Sequence, residues 1–143
     1  MTVKAILEKK GHDVFTLGPD ESITAAVKML ADHRIGALVI TTDDRKIIGI
    51  LSERDIVRTI GKLGASALDQ TVRDVMTAKV NTCNEAHSVN EVMEIMTRGR
   101  FRHLPVEEDG KLDGIVSIGD VVKQRIEDVE REAAEIRAYI AMA

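Results

Sequence analysis

Apolar residues recur along this chain in an order that is run through twice. Val3, Ile6 and Leu7 take helical spacing, and Val72, Val75 and Met76 echo it. Short apolar stretches at Val14–Leu17 and Val80–Cys83 then predict one strand in each half. Ile23, Ala26, Val27 and Leu30 form a helical stripe behind Asp20 or Ser22 as the cap. Val89, Val92, Met93 and Met96 form its counterpart behind Ser88, and Glu91 completes capping-box spacing. Two strands joined by a polar turn follow in each half, Ala37–Ile40 with Ile47–Leu51 and His103–Val106 with Leu112–Val116. Asp109-Gly110 signals a hairpin, in a turn expected to exceed two residues. A closing helix is predicted to begin near Ser52–Asp55 and again near Ser117–Asp120.

The duplication is explicit in the residues. Thr16 and Thr82 stand 66 apart, as do Ser22-Ile23 and Ser88-Val89, while Gly49 and Gly114 stand 65 apart. One residue is therefore lost in the turn near Arg45-Lys46. A repeat fixes what the folding unit is. The expected fold class is α/β (α+β): two pseudo-symmetric repeats, each a small sheet packed on two helices, plus a long C-terminal helix. The expected boundaries are repeats at 3–60 and 71–127, a linker at 61–70 and a helical extension at 128–143. A unit of roughly 60 residues buries little by itself, so the two are expected to pack as one body.

The last helix carries a second pattern. Val122, Ile126, Val129, Ala133, Ile136 and Ile140 alternate spacings of four and three, an a/d seam. Such a seam lies either on its own repeat or against a second copy of the chain, and its length favours the homodimer.

Composition narrows the function. Aromatics are 2% of the 143 residues, so the core must be aliphatic and a base-stacking platform is missing. A net charge of −4 argues against phosphate-backbone binding and makes nucleic acid an unlikely partner. The N-terminal stretch lacks an apolar signal region and no later run is long enough for a membrane span, so a soluble cytoplasmic protein is expected. Cys83 is the single cysteine and reads as a small buried hydrophobe. His12, His33 and His87 have no partner at metal-ligand spacing along the chain, so no metal site is expected.

Candidate chemistry sits in Gly49-Ile50-Leu51-Ser52-Glu53-Arg54-Asp55 and its echo Gly114-Ile115-Val116-Ser117-Ile118-Gly119-Asp120. Each puts a hydroxyl and a carboxylate at the first turn of a helix. There they can serve as ordinary caps. They can equally face a ligand: a carboxylate accepts two bonds from a ribose diol, and a hydroxyl beside free N–H groups suits a phosphate.

The motif Gly-apolar-x-Ser-x-x-Asp, twice, preceded by Arg34-Ile35-Gly36-Ala37-Leu38-Val39-Ile40 and by Arg102-His103-Leu104-Pro105-Val106, resembles a tandem pair of cystathionine-β-synthase-type (CBS) domains, a Bateman module of the stand-alone bacterial type. The resemblance covers roughly residues 3–127 and leaves no catalytic domain over. It implies a regulatory, non-enzymatic module that binds adenosine-containing nucleotides (AMP, ADP or ATP, or NAD(H) or S-adenosylmethionine) in clefts between the repeats. Conformational change would then reach an unknown partner protein. It places Ser52, Arg54 and Asp55 in one cleft with Lys79, Val80, Asn81, Arg102 and His103. Ser117 and Asp120 fall in the other, with Asp13, Val14, Phe15, Gly36 and Ala37. Ile50 and Ile115 would contribute to the apolar walls against adenine. Arg102-His103 gives the Asp55 cleft a phosphate grip that Gly36-Ala37 cannot supply. The alternatives are a structural dimerisation module without ligand and a weak RNA-binding module. No Ser-His-Asp order, metal-ligand cluster or P-loop speaks for catalysis.

Overall fold

The computed structural model describes residues 1–142, so Ala143, the last residue of the expected extension, lies outside it. Helix α1 (Val3–Lys10) precedes strand β1 (Thr16–Leu17), helix α2 (Ile23–His33) and the hairpin of β2 (Ala37–Thr41) and β3 (Ile47–Ser52). Helix α3 (Glu53–Leu63) closes the first repeat. The second runs α4 (Val72–Val75), α5 (Val89–Gly99), β4 (His103–Glu108), β5 (Lys111–Ser117) and α6 (Ile118–Met142). The strands form a three-stranded sheet β1-β2-β3 and a two-stranded sheet β4-β5.

The predicted caps set the helix starts. Ser22 takes the N–H of Ala25 at 3.1 Å, so Ser22 and not Asp20 caps α2. Ser88 and Glu91 close a capping box at α5. Each such cap contributes about 1 kcal/mol. Both α2 and α5 end on an arginine in the left-handed region, Arg34 and Arg100.

The stretch Val80–Cys83 is not a strand. Cys83 makes a single parallel bridge to Val106. The reason is Pro105. In the first repeat the N–H of Val39 reaches the Phe15 carbonyl at 3.4 Å, and the position equivalent to Val39 is Pro105, which has no N–H to give. The Asp109-Gly110 turn also departs from expectation, because Glu108 pairs with Lys111 and leaves a two-residue turn. Both turn residues have positive φ, the geometry that suits a right-twisted hairpin. The stretch 61–70 is structured: α3 continues to Leu63 and a 3-10 helix spans Gly64–Asp69.

The first helix of each repeat packs on the other repeat. Val3, Ile6 and Leu7 of α1 join a core with Val89, Val92, Met96, Leu104 and Val116. Val72 of α4 joins Ile23, Leu30, Leu38, Ile40 and Leu51. Backbone bonds fix the exchange: Val3 N–H to His87 O and Val89 N–H to Met1 O on one side, Val72 N–H to Glu21 O and Ile23 N–H to Gln70 O on the other. Paired glycines make room for it. A Cβ on Gly114 would stand 2.9 Å from Leu7 Cδ2, and one on Gly49 would collide with Met76 Sδ. Leu7 is 1% exposed, and burial of that size contributes about 2 kcal/mol.

Helix α6 buries Val121, Gln124 and Asp128 on one face. The heptad seam faces away from the body: Val122, Ile126, Val129, Ile136 and Ile140 are all exposed. No helix among the described residues is long and apolar enough to cross a membrane. Cys83 is a free, buried cysteine whose thiol is pushed up to about 12 by desolvation, which leaves it unreactive.

Candidate functional site

A cavity of about 570 Å³ opens between the repeats, within the usual size range of small-molecule sites. The junction of β3 and α3 supplies one wall. Ser52 N–H and Oγ both reach Asp55 Oδ2, at 3.0 and 3.1 Å, and Asp55 N–H returns to Ser52 Oγ at 3.3 Å. These residues are therefore genuine helix caps. The cap uses Oδ2 and leaves Oδ1 with one cationic neighbour, Arg58, at 3.7 Å.

The second wall comes from the other repeat. Thr77 and Ile50 exchange backbone bonds at 2.9 and 3.0 Å, which holds the Lys79-Val80-Asn81 segment along the cavity. Arg102 and His103 enter from the start of β4. Arg54 ties the halves together through a 3.2 Å bond to the Arg100 carbonyl. Ile50, Val80 and Pro105 give the lining its apolar part. Arg54, Arg58, Lys79, Arg100 and Arg102 face only two carboxylates, Glu53 and Asp55, so the cavity is electropositive in a chain of negative net charge.

The structure thus brings together Ser52, Arg54, Asp55, Ile50, Lys79, Val80, Asn81, Arg102 and His103 as one set. It adds Arg58, Arg100, Phe101 and Glu53, which sequence patterning gives as surface or leaves unassigned. One signal was legible: Arg58 stands one helical turn beyond Arg54 and beside Asp55.

Gly36 and Ala37, expected at the Asp120 cleft, line this cavity. Ala37 pairs with Ser52 across the sheet, as His103 pairs with Ser117. A Cβ on Gly36 would approach His103 Cε1 to 3.1 Å and Glu53 Oε1 to 3.5 Å. The position that carries Arg102 in the second repeat is thus kept bare in the first, and the His103 ring uses the space. Burial, followed by the Lys10 ammonium, lowers the His103 pKa from 6.5 against the opposing pull of Glu53 and Asp120.

The Asp120 side is built differently. Ser117 N–H caps onto Asp120 Oδ2 at 2.8 Å, and Asp120 N–H onto Ser117 Oγ at 3.1 Å. Lys10 then bonds Asp120 Oδ2 at 2.6 Å and the Ile115 carbonyl at 2.9 Å. Burial works against ionisation of Asp120, but Lys10 and the Ser117 N–H more than offset it and its pKa is lowered. Asp13 is exposed and Val14 half-buried, while Phe15 stacks on His33 with ring centroids 3.9 Å apart. Lys79 lines the open cavity, whereas at Asp120 a lysine of α1, Lys10, bonds the carboxylate.

Comparison with known proteins follows this geometry closely. Residues 3–62 and 72–127 each match the family model described as CBS domain. The mitochondrial CBS domain-containing protein CBSX3 of Arabidopsis thaliana is 33% identical over 147 residues, covering 97% of this chain and 71% of that protein. The crystal structure of the CBS-domain containing protein ATU1752 from Agrobacterium tumefaciens is similar with a TM-score of 0.83 and 51% identity, over 87% of this chain and 92% of that one. The CBS domain pair of protein MJ0100, in complex with 5-methylthioadenosine and S-adenosyl-L-methionine, is similar with a TM-score of 0.79 and 27% identity, over 90% of this chain and 98% of that one.

Proposed function

Because the chain belongs to the CBS-domain family, we propose that it is a regulatory sensor of adenosine-bearing nucleotides that takes its ligand in the Asp55 cavity. The observation that carries this reading is the joining, within 570 Å³, of a carboxylate edge, an apolar strip and five basic side chains drawn from both repeats. Asp55 Oδ1 accepts the ribose hydroxyls, Ile50 and Val80 flank adenine, and Lys79, Arg102 and His103 hold phosphate. The adenosine ligands in the MJ0100 domain pair support the ligand class. AMP, ADP and ATP fit the basic lining best, and NAD(H) or S-adenosylmethionine share the same adenosine end.

The ligand touches both repeats, so its binding energy depends on their relative placement. That gives it leverage on a partner protein that reads the placement. The module works by binding rather than by turnover.

The functional unit is a homodimer joined through the exposed seam of α6 and through Val57, Ile60 and Leu63 of α3, which are also exposed. Exposed apolar side chains in that number suit a second copy of the same surface. Calorimetric titration with AMP, ADP and ATP tests the sensor reading. Saturable binding of at least one of them is expected, and heat at the level of dilution for all three at millimolar concentration overturns it.

A further inference from the structure

On the face that carries α1, three side chains converge that no sequence spacing links. His12 and Asp113 are 101 residues apart, yet His12 Nδ1 lies 2.9 Å from the Asp113 carbonyl and 3.3 Å from Asp113 Oδ1. Glu85 comes from a third segment, the loop before α5, and is held there because the Lys4 N–H bonds the Glu85 carbonyl at 3.1 Å. One ligating atom from each of the three residues lies within 4.8 Å of the others.

Two features of the cluster ask for a cation. Asp113 Oδ2 is buried and has no hydrogen-bond partner, an uncommon and costly condition for a carboxylate oxygen. Glu85 also shares its groove with Glu107, Glu108 and Asp109, so negative charge accumulates with Lys4 as the one basic side chain in the lining. We propose that His12, Glu85 and Asp113 form a binding site for a divalent transition-metal cation that clamps the end of α1 to β5.

The donor set selects the ion class. One imidazole nitrogen with two carboxylates suits zinc and its first-row neighbours, whereas magnesium and calcium favour all-oxygen shells. A tetrahedral ion with bonds of about 2.0–2.2 Å keeps its ligand atoms about 3.3 Å apart, so the three need to draw in by at most about 1.5 Å. His12 is exposed and Glu85 half-buried, so both side chains have room to make that movement. Water completes the fourth position. Because α1 packs on the second repeat, the bound ion reinforces the contact between repeats and holds Lys10, two residues upstream, at Asp120.

The test is zinc titration of the tag-free full chain after chelator dialysis, read by calorimetry and by thermal melting. One zinc per chain and a raised Tm are expected. His12→Ala and Glu85→Gln should each weaken binding by about tenfold or more, while His33→Ala leaves it unchanged. Circular dichroism checks that each variant is folded, and Glu85→Gln, which keeps the shape of the side chain, decides if His12→Ala is not. No saturable binding, or wild-type affinity in Glu85→Gln, overturns the site.

Discussion

The Lys10 ammonium sits 2.6 Å from the Asp120 carboxylate, while Lys79 borders an open cavity at Asp55. Two sites with the same motif therefore start from different conditions. At Asp55 the neighbouring cation, Arg58, stands 3.7 Å from Oδ1, while at Asp120 the Lys10 ammonium holds Oδ2 at 2.6 Å, the tighter of the two pairs. The wild-type chain is expected to bind one AMP per protomer. Lys10→Ala should raise that number to two in calorimetry, and an unchanged stoichiometry would show that more than Lys10 closes the second cleft.

The two aspartates should separate binding from folding. Both cap helices, so Asp55→Ala and Asp120→Ala are each expected to cost about 1 kcal/mol of stability in urea melts. Only Asp55→Ala should weaken AMP binding strongly, by about tenfold or more if two charge-assisted bonds are lost. Equal effects of the two substitutions on affinity would count against the assignment.

His103 gives the site a pH signature. Its folded pKa lies below 6.5, held there by burial and then by Lys10, with Arg102 adding to the effect and Glu53 and Asp120 opposing it. The folded chain thus binds fewer protons here than the unfolded one. The stability contribution is fully present above pH 6.5 and declines as pH falls through the folded value. Phosphate bound beside the ring raises that value again, so binding near pH 6 should take up protons. AMP titrations in two buffers of different ionisation enthalpy would read the uptake as a difference in observed heat. His103→Gln should remove the difference, and its absence in the wild type would exclude contact between His103 and phosphate.

The exposed seam of α6 makes a separate prediction. Ile126 and Ile136 are 53% and 60% exposed, so replacing both by glutamate should leave the protomer folded. Sedimentation should then report a monomer where the wild type gives a dimer. A wild-type mass in the double variant would place the interface elsewhere.

Much of this fold was legible because helix caps and apolar stripes are local signals. Ser22, Ser52, Ser88 and Ser117 each stand where the caps were expected. The missing strand at Val80–Cys83 turned on a proline in a different strand, and periodicity within the segment carries no trace of that. The Asp55 cavity was legible by resemblance, since its motif is short and ordered. The Lys10–Asp120 pair was not, because it depends on α1 docking against the second repeat and bringing Lys10 with it. The His12–Glu85–Asp113 cluster was hidden for the same reason: its members meet only through the packing of distant segments.

The crossed first helices bear on where the fold came from. A single repeat standing alone has an apolar helix with no groove beneath it and an apolar groove with no helix above it. Two identical copies satisfy each other by trading helices, so the lone ancestor of such a repeat is most simply a swapped homodimer. Gene fusion would then have tethered partners that already depended on one another. Only after that could equivalent positions such as Gly36 and Arg102 diverge and give one protomer two dissimilar faces.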